Sequence, residues 1–327
     1  MRDWSADWSY RGQPAVVIES RRLRVVVLPD LGGKIWSIRD KAHDRELLWH
    51  NPRVPPSSAP FGARYDDWFA GGWDDLFPND APVLLDGQPL PDHGEWWARP
   101  CRWRIDEEPG TLRLVLSGLG LVTPHRWERV IELREDERAI WCSTTIRNEG
   151  HAPLPFLWRI HPALPATPGS RIEIPSEHVV IEAASSPGLD RRPFAWPLAR
   201  TTDGGVSNLG VCPEPGHERM LQAYATRLRA GWCALTGADG LGVGFAFDPA
   251  AIDTVTLFAT FGGWRGLSTV ILEPGVGWPS DLDKARANGS ARVIAPGETT
   301  EFAITMVAYE GVGRVEDIGR DGVVRGR

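Results

Sequence analysis

Cysteine is scarce and scattered. Cys101, Cys142, Cys212 and Cys233 lie far apart and form no CxxC, which argues against a disulfide framework or a dithiol redox motif. They predict free thiols in a reducing compartment, most simply the cytoplasm. Long apolar runs are missing too. No segment has the length and apolarity to span a bilayer. The stretch from Met1 to Gln13 has no apolar core of a secretory signal. A basic excess is also absent: net charge is −7, so neither nucleic acid nor a membrane surface is expected as a partner. HExxH, zinc-spaced Cys/His clusters, the P-loop and GxSxG do not occur. Gly240–Gly244 reads G-x-G-x-G, but it precedes a strand pattern and is read as a turn. No metal and no cofactor are expected. The oligomeric state is left open.

Glycine and proline are plentiful, 35 and 28 in 327 residues, and they follow no period. Together with 42% hydrophobic residues, enough for a sizeable core, they suit many short strands joined by turns. Tryptophan is abundant, at 16. Trp68, Trp73, Trp96, Trp97, Trp264 and Trp278 fall in polar surroundings. A tryptophan so placed offers a flat apolar face and an N–H donor, which suits a pyranose ring; the plainer reading of any one of them is core.

Strand signals dominate the chain. Leu23–Leu28 is β-branched and ends at a turn, Pro29–Gly33, before Ile35–Ile38. Residues 50–92 read as irregular, either a functional loop region or hidden strands. From Arg126 to His161 apolar residues alternate. Trp127, Ile131 and Leu133 share one face; Ile140, Cys142, Thr144 and Ile146 share the next; Leu154, Phe156, Trp158 and Ile160 share a third. Parity then puts Arg159 and His161 on the opposite face of that third strand. Further strands are predicted at Leu241–Phe247, Thr254–Phe261, Ser268–Glu273 and Phe302–Tyr309. One helix is predicted at Asp281–Asn288, with Ser280 as its N-cap and Gly289 as its stop. Without repeat or linker, the chain reads as one domain over residues 1–327.

Three segments, in order, carry a resemblance. They are Asp92-His93-Gly94-Glu95 with Arg99 beyond it, Leu157-Trp158-Arg159-Ile160-His161-Pro162, and Val270-Ile271-Leu272-Glu273-Pro274. The set resembles the aldose 1-epimerase (galactose mutarotase-like) family across roughly residues 20–310. The resemblance implies an all-β fold, a large antiparallel β-supersandwich, and an isomerase of carbohydrate metabolism whose partner is a small sugar. It implies Glu273 as general base, His161 as general acid, and His93 bonding near the ring oxygen. Trp73, Asp74, Asp75, Asn79, Glu95, Trp96, Arg99, Arg159 and Trp264 are the expected substrate contacts. Two departures stand out. An Asp that binds sugar hydroxyls in galactose- and glucose-acting members has only Asn208 near its place, and Trp68–Asn79 differs from the mutarotase pattern.

The chemistry explains the residue types. Opening a hemiacetal takes a base on the anomeric hydroxyl and an acid at the ring oxygen, and the roles exchange on closure. Two other readings fit the same residues. One is a non-catalytic sugar sensor on the same fold. The other is a hydrolase or lyase using Glu273 with Asp74 or Asp75 as paired carboxylates. Sugar phosphates become substrates if Arg64 or Arg99 lines the cleft.

Overall fold

A computed structural model describes residues 3–214 and 216–327. Met1 and Arg2, where the N-terminal reading begins, and Pro215 lie outside the described residues. The chain forms two compact units. One runs to Pro162 and adds Val276–Ala303; the other is Ala163–Gly275 with Ile304–Arg327.

The first unit is built on two antiparallel ladders. The first runs through β1 (Trp4–Tyr10), β2 (Gln13–Glu19), β3 (Leu23–Leu28), β4 (Lys34–Asp40), β5 (Trp73–Leu76) and then the later strand Trp158–Pro165. The second contains β6 (Arg102–Glu108), β7 (Thr111–Leu119), β8 (His125–Arg134) and β9 (Ala139–Asn148). Trp158–Pro165 is β10. The β-branched run of β3 explains its form: Leu23, Val25 and Val27 point inward and are fully buried, as are Ile18 from β2 and Ile35 and Ile38 from β4. Strand β8 shows the two-residue period most clearly. Trp127, Arg129, Ile131 and Leu133 are buried, and the residues between them are not.

The second unit also carries two antiparallel ladders. One joins β12 (Ser176–Ile181), β13 (Arg219–Leu228), β16 (Thr254–Phe261) and β17 (Ser268–Val276). The other joins β11 (Arg171–Glu173), β14 (Trp232–Thr236), β15 (Gly242–Phe247) and the Ile304–Tyr309 part of β18 (Thr299–Tyr309). Trp232, Ala234, Ala246, Val307 and Tyr309 pack with Val315 and Ile318 of a closing hairpin.

Among the described residues the α-helices are α1 (Tyr65–Trp68) and α2 (Leu282–Ala287), so the all-β expectation holds. No helix among them is long and apolar enough to cross a membrane. All four cysteines are free thiols.

Two sequence expectations need correction, and a third is resolved. The third alternating strand is not continuous. Leu154–Phe156 pairs with Arg292–Ile294, and β10 starts only at Trp158, because Leu157 turns its N–H to Pro78 O. Helix α2 is capped by Asp281, whose side chain accepts from the Lys284 N–H; Ser280 lies outside it. Residues 50–92 do hide strands: β5, and a hairpin of Val83–Leu85 with Gln88–Leu90.

Candidate active site

Strands β4, β5 and β10 and helix α1 build a buried polar cluster in the first unit. Antiparallel pairing sets Asp74 opposite His161 and Leu76 opposite Arg159. Alternation then places Asp74, Arg159 and His161 on one face of the sheet, with Trp73, Asp75 and Ile160 on the other. Lys34, at the head of β4, donates through Nζ to Asp74 Oδ2 at 2.5 Å and to Gly71 O at 3.0 Å. Helix α1 supplies Tyr65. Its hydroxyl donates to the same Asp74 oxygen at 2.7 Å and stands 3.3 Å from His161 Nδ1. Lys34, Tyr65, Asp74 and His161 are all buried. With its one proton directed to Asp74, the Tyr65 oxygen meets His161 as an acceptor. This order of bonds assigns the imidazole hydrogen to Nδ1 and leaves Nε2 as the acceptor nitrogen.

His93 enters from a tight turn. It has φ 61° and Gly94 follows at φ 76°, so two left-handed residues stand in sequence. Gly94 has no alternative here, because a Cβ at that position would lie 2.2 Å from Phe77 O. The turn fixes the His93 ring among carboxylates. Nδ1 donates to Asp92 Oδ1 at 2.9 Å, and Asp92 Oδ2 accepts the Tyr65 N–H at 2.9 Å. Nε2 stands 3.7 Å from Asp80 Oδ1, past hydrogen-bond reach. Asp80 is held by Arg159 Nη1 at 3.2 Å, and Arg159 Nη2 donates to Gly277 O at 3.0 Å. The Tyr65 ring stacks on His93 at 4.0 Å, and the His161 ring lies perpendicular to His93 at 5.5 Å. Phe69 and Trp97 close the box edge-on.

Burial opposes charge on both histidines, but their neighbours differ. At His93 the Asp92 hydrogen bond and the charges of Asp80, Asp92 and Asp66 overcome burial, and the pKa rises above the ordinary histidine value. At His161 burial is joined by the charges of His93 and Lys34, and the pKa falls well below that value. His93 is therefore biased toward the charged form and His161 toward the neutral one. Surroundings that push a pair apart in this way are characteristic of acid–base sites.

The other expected residues are not all gathered here. Asp75 and Trp73 point to the opposite face, into the interior between the two ladders. Asp75 pairs with Arg129 Nη1 at 3.2 Å and accepts from Trp73 Nε1 and Thr144 Oγ1, both at 3.2 Å. Burial raises its pKa despite these partners. Glu95 is buried and accepts from Leu121 N, Val122 N, Thr123 N and Thr123 Oγ1, so it anchors a loop. Trp96 stacks between Phe77 and Trp127 and donates to His125 Nε2. Asn79 donates to Ala81 O and Pro91 O, tying together the segments that carry Asp80 and Asp92. Arg99 donates to Leu119 O, and Arg64 pairs with Asp66. Trp264 lies in the second unit, edge-on to Phe258. Glu273 lies there too, buried on β17 opposite Thr256. Asn208 Oδ1 accepts the Gly210 N–H.

Sequence reasoning missed Lys34, Tyr65, Phe69 and Asp80. Lysine is rare in this chain, with Lys34, Lys41 and Lys284 as its members. A lysine opening the apolar run of β4 was the available signal for a buried charge. No group of three or more His, Cys, Asp or Glu among the described residues is placed to hold a metal ion.

His125, bonded to Trp96 and Thr123, is structural and testable. Burial lowers its pKa to about 4. An unfolded histidine titrates near 6.5, so this neutral ring contributes stability that is present above pH 6.5. That stability is lost as pH falls toward the folded value. Urea unfolding of wild type and His125→Gln at pH 7 and pH 4.5 should show the wild type losing more stability on acidification, by an amount on the order of 2 kcal/mol. Equal losses would remove His125 as the cause.

No known protein-family model matches the sequence. Solved structures do match. The chain is similar to a candidate aldose 1-epimerase from Klebsiella pneumoniae, with TM-score 0.73 and 13% identity over 94% of this chain and 83% of that one. It is similar to a galactose mutarotase-like protein from Clostridium acetobutylicum, with TM-score 0.67 and 11% identity over 94% and 98%. It is also similar to a TPR-domain containing protein from Parabacteroides distasonis, with TM-score 0.67 and 17% identity. There it covers 90% of this chain and spans about half, 47%, of the other. The fold is thus galactose mutarotase-like, built of large antiparallel sheets.

Proposed function

We propose that the protein interconverts the anomers of an aldose by general acid–base ring opening. The observation that supports this most is the His93–His161 pair, two rings 5.5 Å apart biased to opposite protonation states. In this reading Glu273 removes the proton of the anomeric hydroxyl, the role that the family resemblance implies. The proton for the ring oxygen comes from the histidine pair, and His93, whose carboxylate neighbours raise its pKa, is the member assigned to carry it. His161 accepts a sugar hydroxyl through Nε2, with Tyr65 and the Lys34–Asp74 pair fixing its tautomer. This moves the acid role from His161, where the resemblance put it, to His93. Asp74, Asp80, Arg159, Phe69 and Trp97 complete the surroundings; Asp75, Glu95, Trp73 and Trp96 are left to the framework.

The test is anomer exchange by NMR across a panel of aldoses, each scored for binding by saturation transfer. Exchange above the buffer rate is expected for at least one sugar that binds. It should weaken as pH rises through the elevated His93 pKa, because the donor is then lost. It should also weaken in acid, as His161 takes up a proton. Binding without exchange at any pH would overturn the enzyme reading and leave a sugar sensor. Tyr65→Phe keeps the ring that stacks on His93 but removes the hydroxyl between Asp74 and His161. It should lower kcat about tenfold, with KM little changed, the size of one hydrogen bond between fixed partners. An unchanged kcat and pH profile would show that Tyr65 does not position His161.

A further inference from the structure

The outer strands of the first unit carry a cavity of about 500 Å³. None of its lining residues belongs to the histidine cluster. Its floor is the outward face of β2 and β3, with Ala15, Val17 and Val26. A bulge in the β3–β4 pairing between Val26 and Val27 brings the indole of Trp36 to the same cavity as its neighbour Ser37. His50 stacks on Trp36 at 3.9 Å, and the Tyr10 ring lies 5.1 Å from it. Trp8 and Tyr10 complete the aromatic wall and are 62% and 36% exposed.

Charges line the cavity, Asp3 among them, and both of its arginines are already paired. Arg24 is paired with Glu19 at 2.8 Å, and Arg39 with Asp44 at 2.7 Å. Glu46 accepts from Ser37 Oγ and from the backbone N–H groups of Ile38 and Leu48. An anion would have to displace a carboxylate from each arginine, and a cation meeting Glu46 would compete with its hydroxyl and backbone donors. What the cavity offers is flat aromatic surface ringed by polar groups of both signs. That combination matches a neutral ligand with an apolar face and hydroxyl edges. The volume lies within the roughly 300–1,000 Å³ of ordinary small-molecule sites.

We propose that this cavity is a second saccharide-binding site, taking a neutral sugar against Trp8, Tyr10 and Trp36. It stands apart from the histidine cluster and does not rest on the activity assigned there. The experiment follows the tryptophan indole N–H signals of the ¹⁵N-labelled full chain, with Trp8 assigned through Trp8→Phe. Neutral mono- and disaccharides are titrated in, with glucose 6-phosphate and glucosamine as charged counterparts. At least one neutral sugar should shift the Trp8 and Trp36 signals. The Trp8→Ala/Tyr10→Ala variant, changed only at partly exposed positions, should weaken that binding about tenfold or more. His161→Ala should leave it unchanged, which separates this site from the histidine cluster. Silent Trp8 and Trp36 signals with every sugar would overturn the proposal. So would shifts that His161→Ala abolishes, a stronger response to the charged sugars, or signals that move with protein concentration alone, which would make this face a contact between copies.

Discussion

Glu273→Gln is expected to stop anomer exchange while leaving sugar binding in place. The amide keeps the shape of the carboxylate and one acceptor oxygen but cannot take a proton. Loss of a general catalyst costs about 10²–10⁴-fold, or roughly 3–5 kcal/mol of barrier. In the proposed reading His161→Ala should also lower exchange strongly, because an acceptor for the sugar and the partner of Tyr65 are then both lost. The measurement is the NMR exchange rate with an aldose that the wild type turns over, beside saturation-transfer binding of the same sugar. A Glu273→Gln variant as fast as wild type would remove Glu273 as the base and leave the histidine pair to do both transfers.

Asp75→Ala is expected to destabilise the protein by about 3–5 kcal/mol, since it strips a buried arginine of its counter-charge. Arg129 is almost fully buried, as is Asp75, and the two are 3.2 Å apart. The Arg129 guanidinium also lies over the Trp73 ring at 5.2 Å, a contact that cannot replace an anion. The double variant Asp75→Leu/Arg129→Met removes both charges and should recover most of the loss. Urea midpoints of the three proteins decide the matter. A single variant within about 0.5 kcal/mol of wild type, the range of ordinary surface changes, would show that the pair is not what joins the two ladders there.

These two residues also show what was legible in the sequence and what was not. Arg129 stands at the same parity as Trp127, Ile131 and Leu133, so the alternation that revealed β8 also marked a charged residue at a core position. Its partner was hidden. Asp74 and Asp75 lie among Gly, Trp, Pro and Asn, a composition that reads as loop, and aspartate is poor strand material. Pairing with β4 and β10 makes that segment a strand, and such long-range pairing leaves no local trace. The placement of Arg159 and His161 on one face followed from parity alone. Their burial did not, because a polar pair opposite an apolar face is equally compatible with solvent. Trp73 and Trp96 misled for a related reason: polar neighbours in sequence say nothing of neighbours in space, and both indoles spend their N–H on buried partners. Tyr65 gave no signal, since a four-residue helix has too little period to read.

Asp74 and Asp75 are chemically identical neighbours whose surroundings could hardly differ more. One meets Lys34 and Tyr65, the other Arg129 and Thr144. A one-residue slip of β5 would exchange them and carry Trp73 and Leu76 across the sheet at the same time. Substitutions can retune the histidine cluster one side chain at a time. An insertion or deletion in β5 has no such freedom, for it would unseat the site and the interior together. The strand therefore ties any change in the cluster to the preservation of its alignment, and a change of length is tolerable only in the loops on either side.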